Sequence, residues 1–208
     1  MADARAPAFT RFAAHLAAPV TRSAPVEVPS AEALVIAECR GRALVTVGGP
    51  GPAFAMAASG ALGVASPPAP GTAVSAGDAV ILTLGPAEWL VVVSGRDGWA
   101  LERELAAALA AAGGSAVDVS HGRAVLRLSG PSVRDVLARG CPIDLHPRGF
   151  AAGRCAQTLF GKINVLLHAR AENDAIELYV GRSYADALAD GLMAAAREVG
   201  VVLASPVG

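Results

Sequence analysis

Short apolar runs alternate along the chain with turns that contain glycine and proline. In the first half, this pattern predicts two kinds of element. The predicted strands there are Ala43–Val47, Ala79–Leu84 and Trp89–Val93. The predicted helices are Ala53–Ser59 and Trp99–Ala112. The second helix is expected to end at Gly113, because glycine adopts the left-handed conformation that closes many helices.

The second half repeats this order of elements. Its predicted strands are Ala124–Leu128, Ala156–Phe160, Ile163–His168 and Ile176–Val180. Its predicted helices are Ser132–Arg139 and Tyr184–Val199. Gly140 and Gly200 are expected to end the two helices, Gly140 in the left-handed conformation, and Ser183 is expected to cap the second helix.

The two halves therefore share the order strand, helix, strand, strand, helix, with one further strand in the second half and a Gly-Pro turn before the first helix of each. This order predicts an α+β fold with mostly antiparallel sheets and helices on one face of each. We expect an N-terminal arm at residues 1–30, with a short helix at Phe9–Ala17. The rest forms one domain made of two similar halves, about 31–115 and 116–208.

Composition narrows the class of protein. The chain is 53% hydrophobic and 17% charged, which excludes disorder caused by low hydrophobicity. Its formal net charge of −1 argues against a nucleic-acid partner, which requires a basic surface. The longest apolar runs, such as Leu105–Ala112, are too short to span a membrane. No signal peptide is evident, and three scattered cysteines fit a reducing cytoplasm.

The candidate chemistry is sparse. A cysteine nucleophile would need Cys141 or Cys155 to meet His121 or His146 in space, but no signature surrounds either cysteine. Buried cysteines that act as small apolar side chains are the favoured interpretation. Cys141, His146 and Cys155 also lack the two short ligand pairs that are usual for zinc. His168 ends an apolar run, so we expect it in the core or at a sheet edge.

Other polar and aromatic positions favour structural roles. Trp89 lies in a strand and is expected to be a core or interface anchor. Asp118 and Arg123 flank a turn, where an ion pair between them would first be a local staple. The prolines in Gly48–Pro52 and in Ser129–Pro131 remove backbone donors that a phosphate loop needs, so both segments are expected to be helix starts.

The loop Gly140–Arg148 is the candidate partner interface. Its prolines make it stiff, so it would lose little entropy on binding. The predicted interface residues combine apolar anchors with polar groups: Ile143, Asp144, Leu145 and Arg148. The alternative is that the loop folds onto its own domain, with Ile143 and Leu145 in the core.

Three segments carry a resemblance to a known family. They read LGPAEWL, VDVSHGRAVLRLSGPSVRDVLARGCPIDLHPRGFAAGRCAQTLF and ELYVGRSYADALADGLMAAAREVG. The chain resembles the gamma subunit of heterotetrameric sarcosine oxidase from about Leu34 to Val201. The most specific part is the pattern S-G-P-x-x-x-D-V-L-x-x-G-C-P-x-D-L-H-P followed by G-R-C-A-Q-T.

The resemblance implies an aminomethyltransferase-like fold and a role without catalytic, cofactor or metal-binding residues in this chain. The complex would demethylate sarcosine and pass the one-carbon unit to tetrahydrofolate. The resemblance assigns NAD and folate to an alpha subunit, FAD and covalent FMN to a beta subunit, and zinc to a delta subunit. Oligomer formation with these three subunits is therefore expected.

Three alternatives remain open. A free-standing folate-binding or aminomethyl-transfer protein would need a carboxylate and an arginine, for which Asp118, Asp144, Glu177 and Arg154 are available. The segment Gly161–Asn164 departs from the expected pattern, which fits the gamma-like subunit of a related N-methyl amino acid dehydrogenase. An orphan dimerising protein is the third interpretation.

Overall fold

The computed structural model describes Ala8 and residues 33–208, without the side chain of Asn173. The predicted arm at residues 1–30, with its helix at Phe9–Ala17, lies outside the described residues apart from Ala8. Within residues 33–208 the chain forms eleven strands, four α-helices and three short 3-10 helices.

The strands are β1 (Leu34–Cys39), β2 (Arg42–Gly48), β3 (Ala73–Ala76), β4 (Ala79–Gly85), β5 (Glu88–Ser94), β6 (Ser115–Asp118), β7 (Arg123–Ser129), β8 (Cys155–Phe160), β9 (Ile163–Ala169), β10 (Ile176–Gly181) and β11 (Val201–Leu203). The α-helices are α1 (Gly51–Ala61), α2 (Gly98–Leu109), α3 (Val133–Ala138) and α4 (Ala185–Ala195). The 3-10 helices are Ala110–Ala112, Glu172–Asp174 and Arg182–Tyr184.

The chain divides into two compact units. The inserted unit comprises residues 41–123 and 153–156, and the terminal unit comprises residues 33–40, 124–152 and 157–207 of the described chain. The two halves of the sequence repeat meet between residues 115 and 116, so their boundary does not coincide with the boundaries of the two units. The division into two similar halves of one domain stays a prediction.

The inserted unit is a five-stranded sheet in the order β3-β4-β5-β2-β6, with antiparallel pairing between all neighbours. Alternate residues of β2, β4 and β5 enter a core that also contains Leu101, Leu105 and Leu109 of α2. These leucines recur every four residues, so they lie on one side of the helix. Trp89 and Phe54 pack in this core with ring centroids 5.7 Å apart. The expected core position of Trp89 is confirmed.

The terminal unit is a six-stranded sheet in the order β11-β1-β7-β10-β9-β8. β1 pairs antiparallel with β7 and parallel with β11, and β9 pairs antiparallel with β10. Strand β10 is buried along Ile176–Val180, and α4 buries Leu188, Ala189 and Leu192. The combination of helices with mostly antiparallel sheets confirms the predicted α+β class.

Two predicted helix ends were wrong in their detail. Ser183 does not cap α4, because it lies inside the 3-10 helix Arg182–Tyr184 and Tyr184 is the N-cap residue. Gly140 follows α3 but is absent from the glycines with positive φ, so it is not a left-handed helix end. Gly113 does adopt the left-handed conformation, with φ 69°, after the 3-10 turn that extends α2.

Gly140 is required for packing instead. A Cβ atom at this position would lie 2.6–2.9 Å from three ring atoms of Phe160. On the other edge of the same ring, a Cβ atom at Gly191 would lie 3.1 Å from Cε1. The buried Phe160 ring therefore occupies a slot between two glycines of the terminal unit.

Candidate functional site

The loop between α3 and β8 is held by one arginine of α3. The Nη1 atom of Arg134 donates to the carbonyl oxygens of Leu145 at 2.6 Å and Phe150 at 2.9 Å. Its Nε and Nη2 atoms donate to the Asp174 carboxylate at 2.9 and 2.6 Å. One side chain thus ties the loop to the helix before it and to the turn before β10.

Arg134 also affects the acid at the other end of this contact. Its hydrogen bond to Asp174 lowers the pKa of that carboxyl group, and burial opposes the shift. Asp174 has φ 49°, within the left-handed region that non-glycine residues adopt rarely. Its carboxylate therefore also secures a turn of unfavourable backbone geometry.

The four predicted interface residues are not equally available. Leu145 is 4% exposed and belongs to the core, and Ile143 is half-buried. Asp144 and Arg148 are exposed. The Asp144 Oδ1 atom accepts a hydrogen bond from the His146 amide at 2.8 Å, so this residue also shapes the loop. The surface that the loop offers to a partner is therefore mainly polar.

The cysteines are placed for packing rather than for nucleophilic attack. Cys141 and Cys155 are buried, and burial raises the pKa of each thiol to about 11. The Cys155 Sγ atom lies 3.3 Å from the carbonyl oxygen of Thr72. His121 and His146 are exposed, and His146 Nδ1 accepts from the backbone amide of Arg148. The predicted burial of both cysteines is confirmed.

A polar cluster lies across three neighbouring strands of the terminal unit. Glu177 of β10 is fully buried and accepts from Arg127 Nη2 and from the Tyr179 hydroxyl, both at 2.9 Å. His168 of β9 is 4% exposed, and its Nδ1 atom lies 3.7 Å from Glu177 Oε2. The expected buried position of His168 is confirmed. The Glu177 carboxylate is therefore hydrogen-bonded to side chains of its own sheet.

The turn after β6 does not contain the expected ion pair. Asp118 Oδ1 accepts from the Ser120 amide at 2.8 Å and from the Ser120 hydroxyl. The Ser120 Oγ atom in turn accepts from the Leu44 amide of β2 at 2.9 Å. Burial lowers the pKa of Arg123, and Glu88 opposes that shift. Asp118 therefore staples the turn through Ser120, and its predicted pairing with Arg123 was wrong.

A cavity of about 200 Å³ lies in the inserted unit. Most of the residues that line it are aliphatic, and the lining also contains the ion pair between Arg96 and Glu104, which are 2.7 Å apart. The lining residues are Ala61, Leu62, Ala76, Asp78, Ala79, Val91, Val93, Arg96, Leu101, Glu104 and Leu105. This volume is smaller than that of most small-molecule sites, which measure roughly 300–1,000 Å³.

Two further observations concern residues 33–208 and Ala8. In this part of the chain, no group of three His, Cys, Asp or Glu side chains is arranged to hold a metal ion. None of its helices has both the length and the hydropathy that crossing a membrane requires.

Comparison with known sequences decides the family. The sequence profile described as "Sarcosine oxidase, gamma subunit family" matches residues 48–198, which is more than half of the chain. The chain belongs to the sarcosine oxidase gamma subunit family. The resemblance found in the sequence motifs is thereby confirmed.

Relatives within this family cover different shares of the chain. The sarcosine oxidase subunit gamma of an Arthrobacter species is 41% identical over 119 residues, which is 57% of this chain and 58% of that protein. In this alignment the chain spans a little over half the length of the curated relative. A chain of the heterotetrameric sarcosine oxidase from Corynebacterium sp. U-96, solved with pyrrole 2-carboxylate, is 30% identical with a TM-score of 0.73. That match covers 92% of this chain and 96% of the other.

A more distant likeness concerns the fold alone. The aminomethyltransferase T of the glycine cleavage system from Bartonella henselae is 18% identical, with a TM-score of 0.65. The match covers 83% of this chain and 48% of that one. The predicted aminomethyltransferase-like fold is confirmed.

Sequence reasoning missed Arg134, Ser120 and the glycine slot around Phe160. Arg134 is one of several arginines in the segment, and its spacing from Leu145, Phe150 and Asp174 has no regular period. These contacts arise from tertiary packing. No local sequence signal distinguishes them.

Proposed function

We propose that this chain is the non-catalytic gamma subunit of a heterotetrameric sarcosine oxidase. The assembly would oxidise sarcosine to glycine and pass the one-carbon unit to tetrahydrofolate. The observation that carries this proposal is the match to one chain of the Corynebacterium oxidase, which covers nearly all of both chains. The buried, high-pKa thiols and the committed Glu177 carboxylate support a role in framework and docking rather than in chemistry.

In this proposal the cofactors belong to the partner subunits. Alpha would hold NAD and tetrahydrofolate, beta would hold FAD and FMN, and delta would hold zinc. The chain has a formal net charge of −1, which fits protein partners better than nucleic acid. Its three cysteines are free and buried, which supports a cytoplasmic location.

Co-expression with the alpha, beta and delta subunits of the same organism tests the proposal. We expect the tagged chain to purify with all three and the isolated chain to show no sarcosine-dependent oxygen consumption. The isolated chain should also be colourless and free of zinc. Turnover by the isolated chain, or failure of the wild-type chain to purify with these subunits, would contradict the proposal.

We further propose that the loop Gly140–Arg148 contacts a partner through Asp144 and Arg148, with Ile143 beside them. Leu145 supports the loop from the core and does not itself reach the surface. The test is the double variant Asp144→Asn with Arg148→Gln, because asparagine keeps the acceptor for the His146 amide while removing the charge.

The matched control removes one exposed acid and one exposed base elsewhere, by Asp78→Asn with Lys162→Gln. We expect the loop variant to fold normally and to co-purify more weakly, while the control assembles like the wild type. If the loop variant assembles normally but loses turnover, the loop takes part in the chemistry. If assembly and turnover are both normal, the loop is not an interface.

A further inference from the structure

An exposed tryptophan marks the outer surface of α2. The chain has two tryptophans; Trp89 is buried in the core, whereas Trp99 is 61% exposed at the first turn of this helix. Tryptophan and arginine are the residue types most enriched at the energetic centres of protein interfaces. A second such residue, Arg103, lies one helical turn further along the same surface.

The two side chains are arranged before any partner binds. The Arg103 guanidinium carbon lies 4.8 Å from the centroid of the Trp99 ring, a cation–π contact that restricts both side chains. The start of α2 is itself fixed, because the Asp97 carboxylate accepts from the Ala100 amide at 2.9 Å. A Cβ atom at Gly98 would lie 2.5 Å from both Asp118 and Ser120, so the helix packs closely against the turn after β6. Little conformational entropy remains to be lost on binding.

The charge on this surface indicates what would bind there. Among the described residues, Arg103 forms no ion pair, whereas the neighbouring Glu104 is engaged by Arg96 at 2.7 Å. A guanidinium group in a cation–π contact still has N–H donors that can bind the two oxygens of a carboxylate. The pair therefore offers an apolar ring next to an uncompensated positive charge.

We propose that Trp99 and Arg103 form a second docking point, for a segment of a partner subunit that presents a carboxylate beside an apolar side chain. The apolar side chain packs on the exposed Trp99 ring, and the carboxylate accepts from the edge of Arg103. The inference rests on the proposed function, since it requires that this chain assembles with other subunits. It places a contact on the inserted unit, separate from the loop Gly140–Arg148 of the terminal unit.

The experiment uses the full complex, co-expressed with a tag on the alpha or beta subunit. The variants are Trp99→Ala, Arg103→Ala and Arg103→Lys, and the control is Met56→Ala, which removes a side chain 60% exposed on α1. We expect Trp99→Ala and Arg103→Ala each to weaken retention of this subunit at least about tenfold. Arg103→Lys should give a smaller loss, because lysine keeps the charge without the planar fork. The control should bind like the wild type.

Three results would overturn the inference. In the first, the wild-type complex assembles and both alanine variants assemble equally well. In the second, the variants change only the self-association of the isolated chain in size-exclusion chromatography, so that a second copy is the occupant. In the third, Met56→Ala causes an equal loss, so that the effect is not specific to the pair. If the wild-type chain itself does not assemble, the proposed function fails first, and that outcome is distinct from these three. Trp99→Phe provides a second variant if Trp99→Ala does not fold.

Discussion

Substitution of Gly140 by alanine tests the slot that holds Phe160. The added methyl group would sit 2.6–2.9 Å from Cε2, Cδ2 and Cζ of the ring, distances that real Cβ contacts do not show. Relief requires the ring to move by several tenths of an ångström. Gly191 lies on the other side of the ring, where a Cβ atom would come within 3.1 Å of Cε1, so the space for this movement is small.

The expected cost follows from this confinement. Overpacking of a tight core destabilises by about 1–3 kcal/mol, and with three ring atoms inside 3.0 Å of the added methyl group we expect Gly140→Ala to cost about 2 kcal/mol. In a Phe160→Leu background the ring is gone, so the same substitution should cost under about 0.5 kcal/mol. Gly191→Ala is the matched control, because a helix-propensity gain of about 1 kcal/mol offsets its milder contact.

Urea unfolding followed by far-UV circular dichroism measures these differences, with the free energy of unfolding obtained by linear extrapolation. Equal costs for Gly140→Ala in the wild-type and Phe160→Leu backgrounds would show that the ring is not the obstacle. A cost below about 0.5 kcal/mol in the wild-type background would show that the slot is looser than these distances indicate.

Three further predictions follow from the contacts of single side chains. Arg134→Met leaves two carbonyl groups of the loop without their donor and should cost about 2–4 kcal/mol in urea unfolding. In the wild type, Arg134 lowers the pKa of the Asp174 carboxyl from 3.8. The stability contributed by this ion pair is therefore present above pH 3.8 and is lost as the pH falls through the lowered pKa, which an acid titration measures. Ser120→Ala removes the acceptor of a buried β2 amide and should cost about 1–3 kcal/mol in the same assay, whereas a change below 0.5 kcal/mol would contradict that role. With pKa values of about 11, Cys141 and Cys155 are almost entirely protonated at pH 8, so Ellman's reagent should modify them only after denaturation; rapid modification of the folded chain would refute their inert character.

The long apolar runs were predictable from sequence, because their pattern is local. Strands β4 and β5 and helix α2 match their predicted positions within a few residues, since apolar periodicity and flanking glycines define them. Strands β3 and β6 are four residues long and lie at sheet edges, so they carry too few alternations to be recognised.

Gly140 illustrates the limit for individual residues. A glycine directly after a helix is typical of a left-handed end, yet here it provides space for a ring twenty residues later in the chain. Likewise, Asp118 and Arg123 have charges and spacing that favour an ion pair, but Ser120 competes for the carboxylate at shorter range. Sequence indicated that these positions are constrained. The constraining partner is set by tertiary packing.

The position of β1 has a consequence for biosynthesis. This strand leaves the ribosome before the inserted unit, yet its neighbours in the sheet are β7 and β11, and Leu34 pairs with Val201. At translation rates of roughly 5–20 residues per second, β1 must wait on the order of ten seconds for its C-terminal neighbour. The sheet around β1 is therefore completed only after most of the chain has been made, and a nascent chain held before β11 would expose an unpaired strand edge to other chains.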